Sequence, residues 1–120
     1  VAFWDLMPTV AQAARSRAPR DIDGISFLPT LQSLPQTQQH EFLYWEFHEG
    51  GSQQAARMGD WKAIRPELGK ALELYNLKTD IGETKNVAAQ NPDVVIKFEN
   101  FLRTARTRST HWPITKRANR

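Results

Sequence analysis

The chain has 120 residues, 40% hydrophobic and 24% charged, with no cysteine and a formal net charge of +3. That is ordinary composition for a globular domain, long enough for one core. It excludes disulfides, thiolate zinc sites and cysteine nucleophiles, and no apolar run approaches the ~20 residues of a membrane span. The charge is uneven: Arg103, Arg106, Arg108, Lys116, Arg117 and Arg120 all follow the last acid, Glu99. A solvated basic tail is expected there, not a nucleic-acid-binding face, which would interleave basic and aromatic residues across the body. The chain opens on Val-Ala-Phe-Trp with no basic, apolar leader, which reads as a fragment of something longer.

Residues 5–17 predict a helix, with Asp5 as cap, Pro8 in the first turn, and Leu6, Val10, Ala13 and Ala14 as one apolar stripe. This stripe and residues 24–31 have nowhere obvious to be buried within the chain. Residues 19–40 carry Pro19, Pro29 and Pro35 and read as a connector, with an irregular apolar patch at "DGISFLPTL" and a boundary near 34–40. "EFLYWEF" is an aromatic-rich candidate strand. Gly59-Asp60 suits a two-residue hairpin turn joining Gln54–Met58 to Trp61–Arg65. "ALELYNL" is a further strand, and "KTDIGETKNVAAQ" is rich in turns.

"NPDVVIKFENFLRTAR" is the best helix in the chain: Asn91 as N-cap, Pro92 in the first position, and Asp93 at the positive end of the dipole. Val94, Val95, Phe98, Phe101, Leu102 and Ala105 form its apolar face, and Arg103 and Arg106 suit its C-terminal end. Residues 41–106 therefore predict an α+β fold, an antiparallel sheet of about four strands with one long C-terminal helix laid across one face.

His40, His48 and His111 are far apart and offer no metal-ligand spacing. The one dense polar cluster is Glu46, His48 and Glu49, running into Gly50-Gly51. Glu46 and His48 can share a strand face, and Glu49 joins them only if the strand has turned. By themselves these residues read as a hydrogen-bonded pair at a strand end, Trp45 as core, Trp61 as sheet packing, and Arg57 and Arg65 as solvated.

At "ALELYNLKTDIGETKNVA" the chain resembles the segment near the C-terminus of arylsulfatase-type sulfatases, E-L-Y-D-L followed by D-P-x-E-x-x-N. Glu73, Leu74, Tyr75, Leu77, Asp80, Glu83 and Asn86 match, while Asn76 and Ile81 stand where Asp and Pro are usual. Three further stretches are similar in order and spacing. "DLMPTV" resembles D-[IL]-x-P-T-[LIV], "DGISFLPTL" resembles D-G-x-S-[LF]-x-P-x-L, and Arg57, Gly59, Trp61 and Lys62 fit R-x-G-x-[WY]-K. The nearest resemblance is to bacterial polysaccharide- or glycosaminoglycan-type sulfatases, which suggests a periplasmic or secreted setting.

The resemblance implies that residues 1–38 are the last helix and connector of an α/β catalytic domain, 39–108 the C-terminal subdomain and 109–120 a basic tail. It also implies sulfate-ester hydrolysis by a formylglycine nucleophile with a calcium ion, both in a catalytic domain outside this chain. None of Ser16, Ser26, Ser33, Ser52 and Ser109 opens a C/S-x-P-x-R motif, and no acidic cluster resembles the calcium ligands. So no catalytic or metal residue is assigned, and the chain is expected to be inactive alone. Its partners are the catalytic domain and a sulfated carbohydrate, for which Trp45, Glu46, His48, Gln54 and Arg57 are candidates to form one pocket wall. The alternative is an independent glycan- or protein-binding module.

Overall fold

The computed structural model describes residues 1–115. The chain divides into two compact units, one of Val1–Glu41 and one from Phe42 onward. In the first unit a 3-10 turn (Phe3–Asp5) leads into α1 (Leu6–Ala13), and a four-residue helix, α2, follows at Leu28–Leu31. α1 is shorter than the expected 5–17, because Arg15 takes a left-handed φ of 54° and stops it.

Asp5 does not cap α1 as expected. Its own backbone is already helical (φ −75°, ψ −15°), so its side chain is not placed to reach the first free N–H groups. Instead the buried carboxylate accepts the N–H groups of Ala2 (2.6 Å) and Ile25 (2.9 Å) and pairs with His40 Nε2 (2.7 Å). Thr9 is a second peg: its hydroxyl donates to the Asp5 carbonyl and accepts the Phe27 N–H. Between the pegs, Gly24 lies so close to α1 that a Cβ there would meet the Trp4 carbonyl oxygen at 2.2 Å. "DLMPT" and "DGISF" thus hold each other through Asp5, Thr9 and Gly24. The apolar stripe is left uncovered: Leu6 is 50% and Val10 57% exposed, and Met7 and Phe3 are exposed beside them.

The second unit is α+β. Strands β1 (Leu43–Phe47), β2 (Gln53–Met58), β3 (Trp61–Arg65) and β4 (Glu73–Asn76) form an antiparallel sheet in the order β1-β2-β3-β4, followed by α3 (Pro92–Thr104). Met58 pairs with Trp61, so Gly59-Asp60 is the two-residue hairpin expected, with Gly59 at φ 56°. One register row, Tyr44–Ala56–Ala63–Leu74, crosses all four strands. Ala56, Ala63 and Leu74 of this row are fully buried and form the core with Leu72, Phe98 and Leu102. Alanine on both central strands leaves room for Phe98 to sit close to the sheet. Phe101 packs on Phe42 and Tyr44 at the β1 edge.

α3 starts at Pro92 with Asp93 in its first turn, but Asn91 does not cap it. At φ −133° and ψ 59° its side chain turns back and donates to the Val87 carbonyl (2.9 Å). The turn-rich segment before α3 is fixed by side chains that reach backbone. The Asp80 carboxylate accepts the N–H groups of Thr84 and Lys85 and the Thr84 hydroxyl. Lys62 pairs with Glu83 at 2.5 Å. Asn86 Oδ1 accepts from Leu74 N and Ala88 N, tying the loop to β4.

Three substitutions test this packing by urea denaturation. Phe98→Ala should cost ~3–5 kcal/mol, whereas Ile96→Ala on the exposed side of α3 should change stability by no more than ~0.5 kcal/mol. Gly24→Ala should cost ~1–3 kcal/mol, because a backbone carbonyl stands in the way of the new methyl and cannot swing aside as a side-chain tip would.

Candidate functional site

Strand alternation sorts the five expected wall residues onto two faces of the sheet. Glu46 lies opposite Gln54, on the side covered by α3, with Tyr44 one step along. Trp45, opposite Ala55, and Arg57, opposite Leu43, lie on the other side. Trp45 is 39% exposed, so the expectation that it is core does not hold: the core row runs through its neighbour Tyr44. Arg57 is exposed, and its Nε donates to the Gly59 carbonyl at 3.0 Å. Glu49, exposed in the turn after β1, has left the strand.

On the helix side a continuous polar network runs beside the apolar core. The row Glu46–Gln54–Arg65 crosses three strands. Tyr44 Oη donates to Glu46 Oε1 (2.6 Å) and accepts from Gln54 Nε2 (2.8 Å), and Arg65 donates to Gln54 Oε1 (3.0 Å). Arg65 also pairs with Glu99 of α3, so it is not the solvated cation expected. Arg106 is likewise no part of a solvated tail. α3 ends at Thr104, and Arg106 turns to Glu46, giving Nε to Oε1 (2.6 Å) and Nη2 to Oε2 (3.1 Å). Lys116, Arg117 and Arg120 of the expected tail lie outside the described residues.

His48 stands at the end of this network. Its Nε2 is 3.1 Å from Glu46 Oε2 and its Nδ1 3.1 Å from Ser52 Oγ. Ser52, 1% exposed, also accepts the Thr115 N–H at its Oγ (2.9 Å) and gives its own N–H to the Thr115 carbonyl (3.0 Å). One proton pattern satisfies every atom: Ser52 O–H donates to Nδ1, and Nε2–H donates to Glu46. Burial alone would raise the Glu46 pKa, but hydrogen bonds from Arg106 and Tyr44 and the Arg106 charge outweigh it and hold the carboxyl below its usual range. Burial and the bond to Glu46 push the Tyr44 phenol up to about 12.

Ser52, His48 and Glu46 are connected as a nucleophile, base and orienting acid would be. The geometry nonetheless favours a clasp. The serine oxygen is buried and occupied by Thr115, and the glutamate charge is neutralised by a two-point arginine. Among the described residues no three His, Asp or Glu side chains converge as metal ligands. Tyr44, Ser52, Arg65, Glu99 and Arg106 are members the sequence did not reveal. Period-2 alternation from Glu46 points to Tyr44, and the hairpin register points from Gln54 to Arg65. No local signal joins Glu46 to a residue 60 positions away.

The network has a pH signature. Because the folded pKa of Glu46 is lowered, its charge adds stability that is complete above the unfolded value of ~4.3. That stability is lost as pH falls through the lower folded value. The gap in urea midpoint between the wild type and Glu46→Gln should therefore be wide at pH 7 and narrow as pH falls from the unfolded value of ~4.3 through the lower folded one. A gap independent of pH would mean that the charge contributes nothing.

No family model matches the chain. A Delta 4,5-hexuronate-2-O-sulfatase of Bacteroides thetaiotaomicron is 33% identical over 89 residues, 70% of this chain and 18% of that protein. Arylsulfatase K of Bos taurus is 27% identical over 115 residues, 87% of this chain and 21% of that one. Among solved structures, a 2-O GAG sulfatase matches with a TM-score of 0.74 at 29% identity, covering 84% of this chain and 23% of the other. The chain thus spans about a fifth of the length of these relatives. In sequence and in fold it is a distant homologue of the arylsulfatase-type sulfatases, equivalent to about one fifth of such a protein.

Proposed function

We propose that the chain is the C-terminal part of a sulfuric ester hydrolase acting on a sulfated carbohydrate, completing that enzyme's fold and forming one wall of its substrate pocket. The observation that carries this is the 27–33% identity over 70–87% of this chain to proteins named as sulfatases, beside the four-motif resemblance read from the sequence. The exposed apolar groove of the first unit, lined by Leu6, Met7 and Val10 among others, favours this over a free-standing binding module. It is a surface that a larger domain would cover.

The chemistry belongs to the rest of the enzyme. Among the described residues no set of carboxylates converges to fit a calcium site, and no serine of the sequence stands in a C/S-x-P-x-R motif. What this chain offers a substrate is a surface. Of the five wall candidates, Trp45 and Arg57 share the sheet face away from α3, where an indole can stack on a sugar ring and a guanidinium can meet a sulfate or carboxylate. His48 stands at the rim of the other face, next to the glycine turn. Glu46 holds His48 in place, and Gln54 supports Glu46 through Tyr44, whose hydroxyl accepts from Gln54 and donates to Glu46.

Two measurements test this reading. The chain alone should not hydrolyse a chromogenic aryl sulfate with or without calcium; calcium-dependent turnover would overturn its assignment as a part without the catalytic groups. Within the whole enzyme, Arg57→Ala should lower kcat/KM on a sulfated disaccharide by about tenfold, the loss of ~1.4 kcal/mol of transition-state binding. An unchanged kcat/KM for both Arg57→Ala and Trp45→Ala would remove the wall and leave a purely structural part.

A further inference from the structure

The residues that follow α3 do not continue away from the sheet. From Arg106 to Thr115 the chain is irregular, and it folds back over the turn between β1 and β2. Three contacts hold it there, and all end within seven residues of that turn. Arg106 grips the Glu46 carboxylate with two donors. Trp112 lies over the His48 ring, centroids 5.9 Å apart and planes inclined by 35°. Ser52 and Thr115 exchange two hydrogen bonds, one through the serine hydroxyl. The segment is also braced on itself: Arg106 Nη2 donates to the Trp112 carbonyl (2.7 Å), and Ser109 Oγ accepts the Trp112 N–H (3.2 Å).

We propose that Arg106–Thr115 is a strap with Glu46 as its buckle, which closes over His48 and Ser52 and opens as a unit while the sheet stays intact.

Two physical features support local opening. First, among the described residues the strap is anchored by two polar contacts and one ring contact, while the core of the unit is formed by Ala56, Ala63, Leu72, Leu74, Phe98 and Leu102, none of them on the strap. A segment held by few contacts at one place lies at the low end of local stability. Second, the anchors are coupled. Arg106 binds Glu46 and the Trp112 carbonyl with the same guanidinium, so losing the carboxylate loosens the hold on Trp112 and, through it, on Thr115. This inference needs no sulfatase function. If the wall reading of His48 also holds, the strap controls the access of a substrate to that ring.

Amide hydrogen exchange resolved by residue tests the strap in the full chain. In the wild type, the Ser52 and Thr115 amides should exchange faster than those of Ala56 and Ala63 on the two central strands. Glu46→Gln should speed Ser52 and Thr115 at least tenfold more than it speeds Ala56 and Ala63, which follow only the overall loss of stability. Trp112→Ala, a change at a 63% exposed side chain, should act in the same direction and serves if the first variant does not fold. One common rate for all four amides in the wild type, or a Ser52 rate unmoved in both variants, would overturn the proposal.

Discussion

A single 13-residue helix covers one face of a four-stranded sheet, and the arrangement of the second unit follows from that mismatch. Strands spaced about 4.8 Å apart set the outer pair roughly 14 Å from each other, whereas a helix with its side chains is ~10 Å across. α3 can dry only part of the sheet, and it dries the row through Ala56, Ala63 and Leu74. The next row, Glu46–Gln54–Arg65, lies at the margin, where Gln54 is nearly as buried as the core but polar. A buried amide or carboxylate costs several kcal/mol unless it is paired. Each of these groups is paired, and no described buried side-chain nitrogen or oxygen lacks a partner. Arg65 reaches Glu99 on the helix, and Glu46 draws Arg106 back from beyond the helix end. The course of the chain after Thr104 is thus the answer to a charge placed on β1.

What the sequence made legible was local, and what it hid was paired at a distance. The hairpin at Gly59-Asp60 was readable because only two residues separate the strands and the first takes a left-handed φ. The start of α3 was readable from Pro92 and Asp93. The same local rules misassigned Asp5 and Asn91, both good N-cap residues by type. A cap needs a residue with extended backbone as well as the right side chain, and neither backbone angle pair supplies it. Arg106 shows the limit most clearly: its spacing from α3 suggested a dipole partner or a tail, and its true partner lies 60 residues earlier.

The recognisable motifs do structural work. Asp5, Thr9 and Gly24 stitch "DLMPT" to "DGISF". Asp80, Glu83 and Asn86 bind the loop after β4 to itself, to β3 and to β4. Most of these side chains answer backbone N–H groups that the fold would otherwise leave unpaired. The likeness to sulfatases therefore speaks most directly about scaffold, and the case for a substrate wall has to come from residues outside the motifs or with side chains left over.

The two faces of the sheet supply that distinction. On the helix side Glu46 and Gln54 are committed to Tyr44, His48, Arg65 and Arg106, so a ligand meeting either would have to displace one of these bonds. On the opposite side the rows Trp45–Ala55–Ile64–Glu73 and Leu43–Arg57–Lys62–Tyr75 put aromatic rings beside cations. Lys62 is held by Glu83, and Arg57 spends one donor, its Nε, on Gly59. Its two terminal nitrogens are the pair suited to a planar or tetrahedral anion. Glu46 and His48 caught the eye in the sequence because acid and imidazole stood two apart. Placed in the sheet, Glu46 is committed to holding Tyr44, His48 and Arg106 together, and the proposed contact with a sulfated sugar rests on the quieter residues on the other side, Trp45 and Arg57.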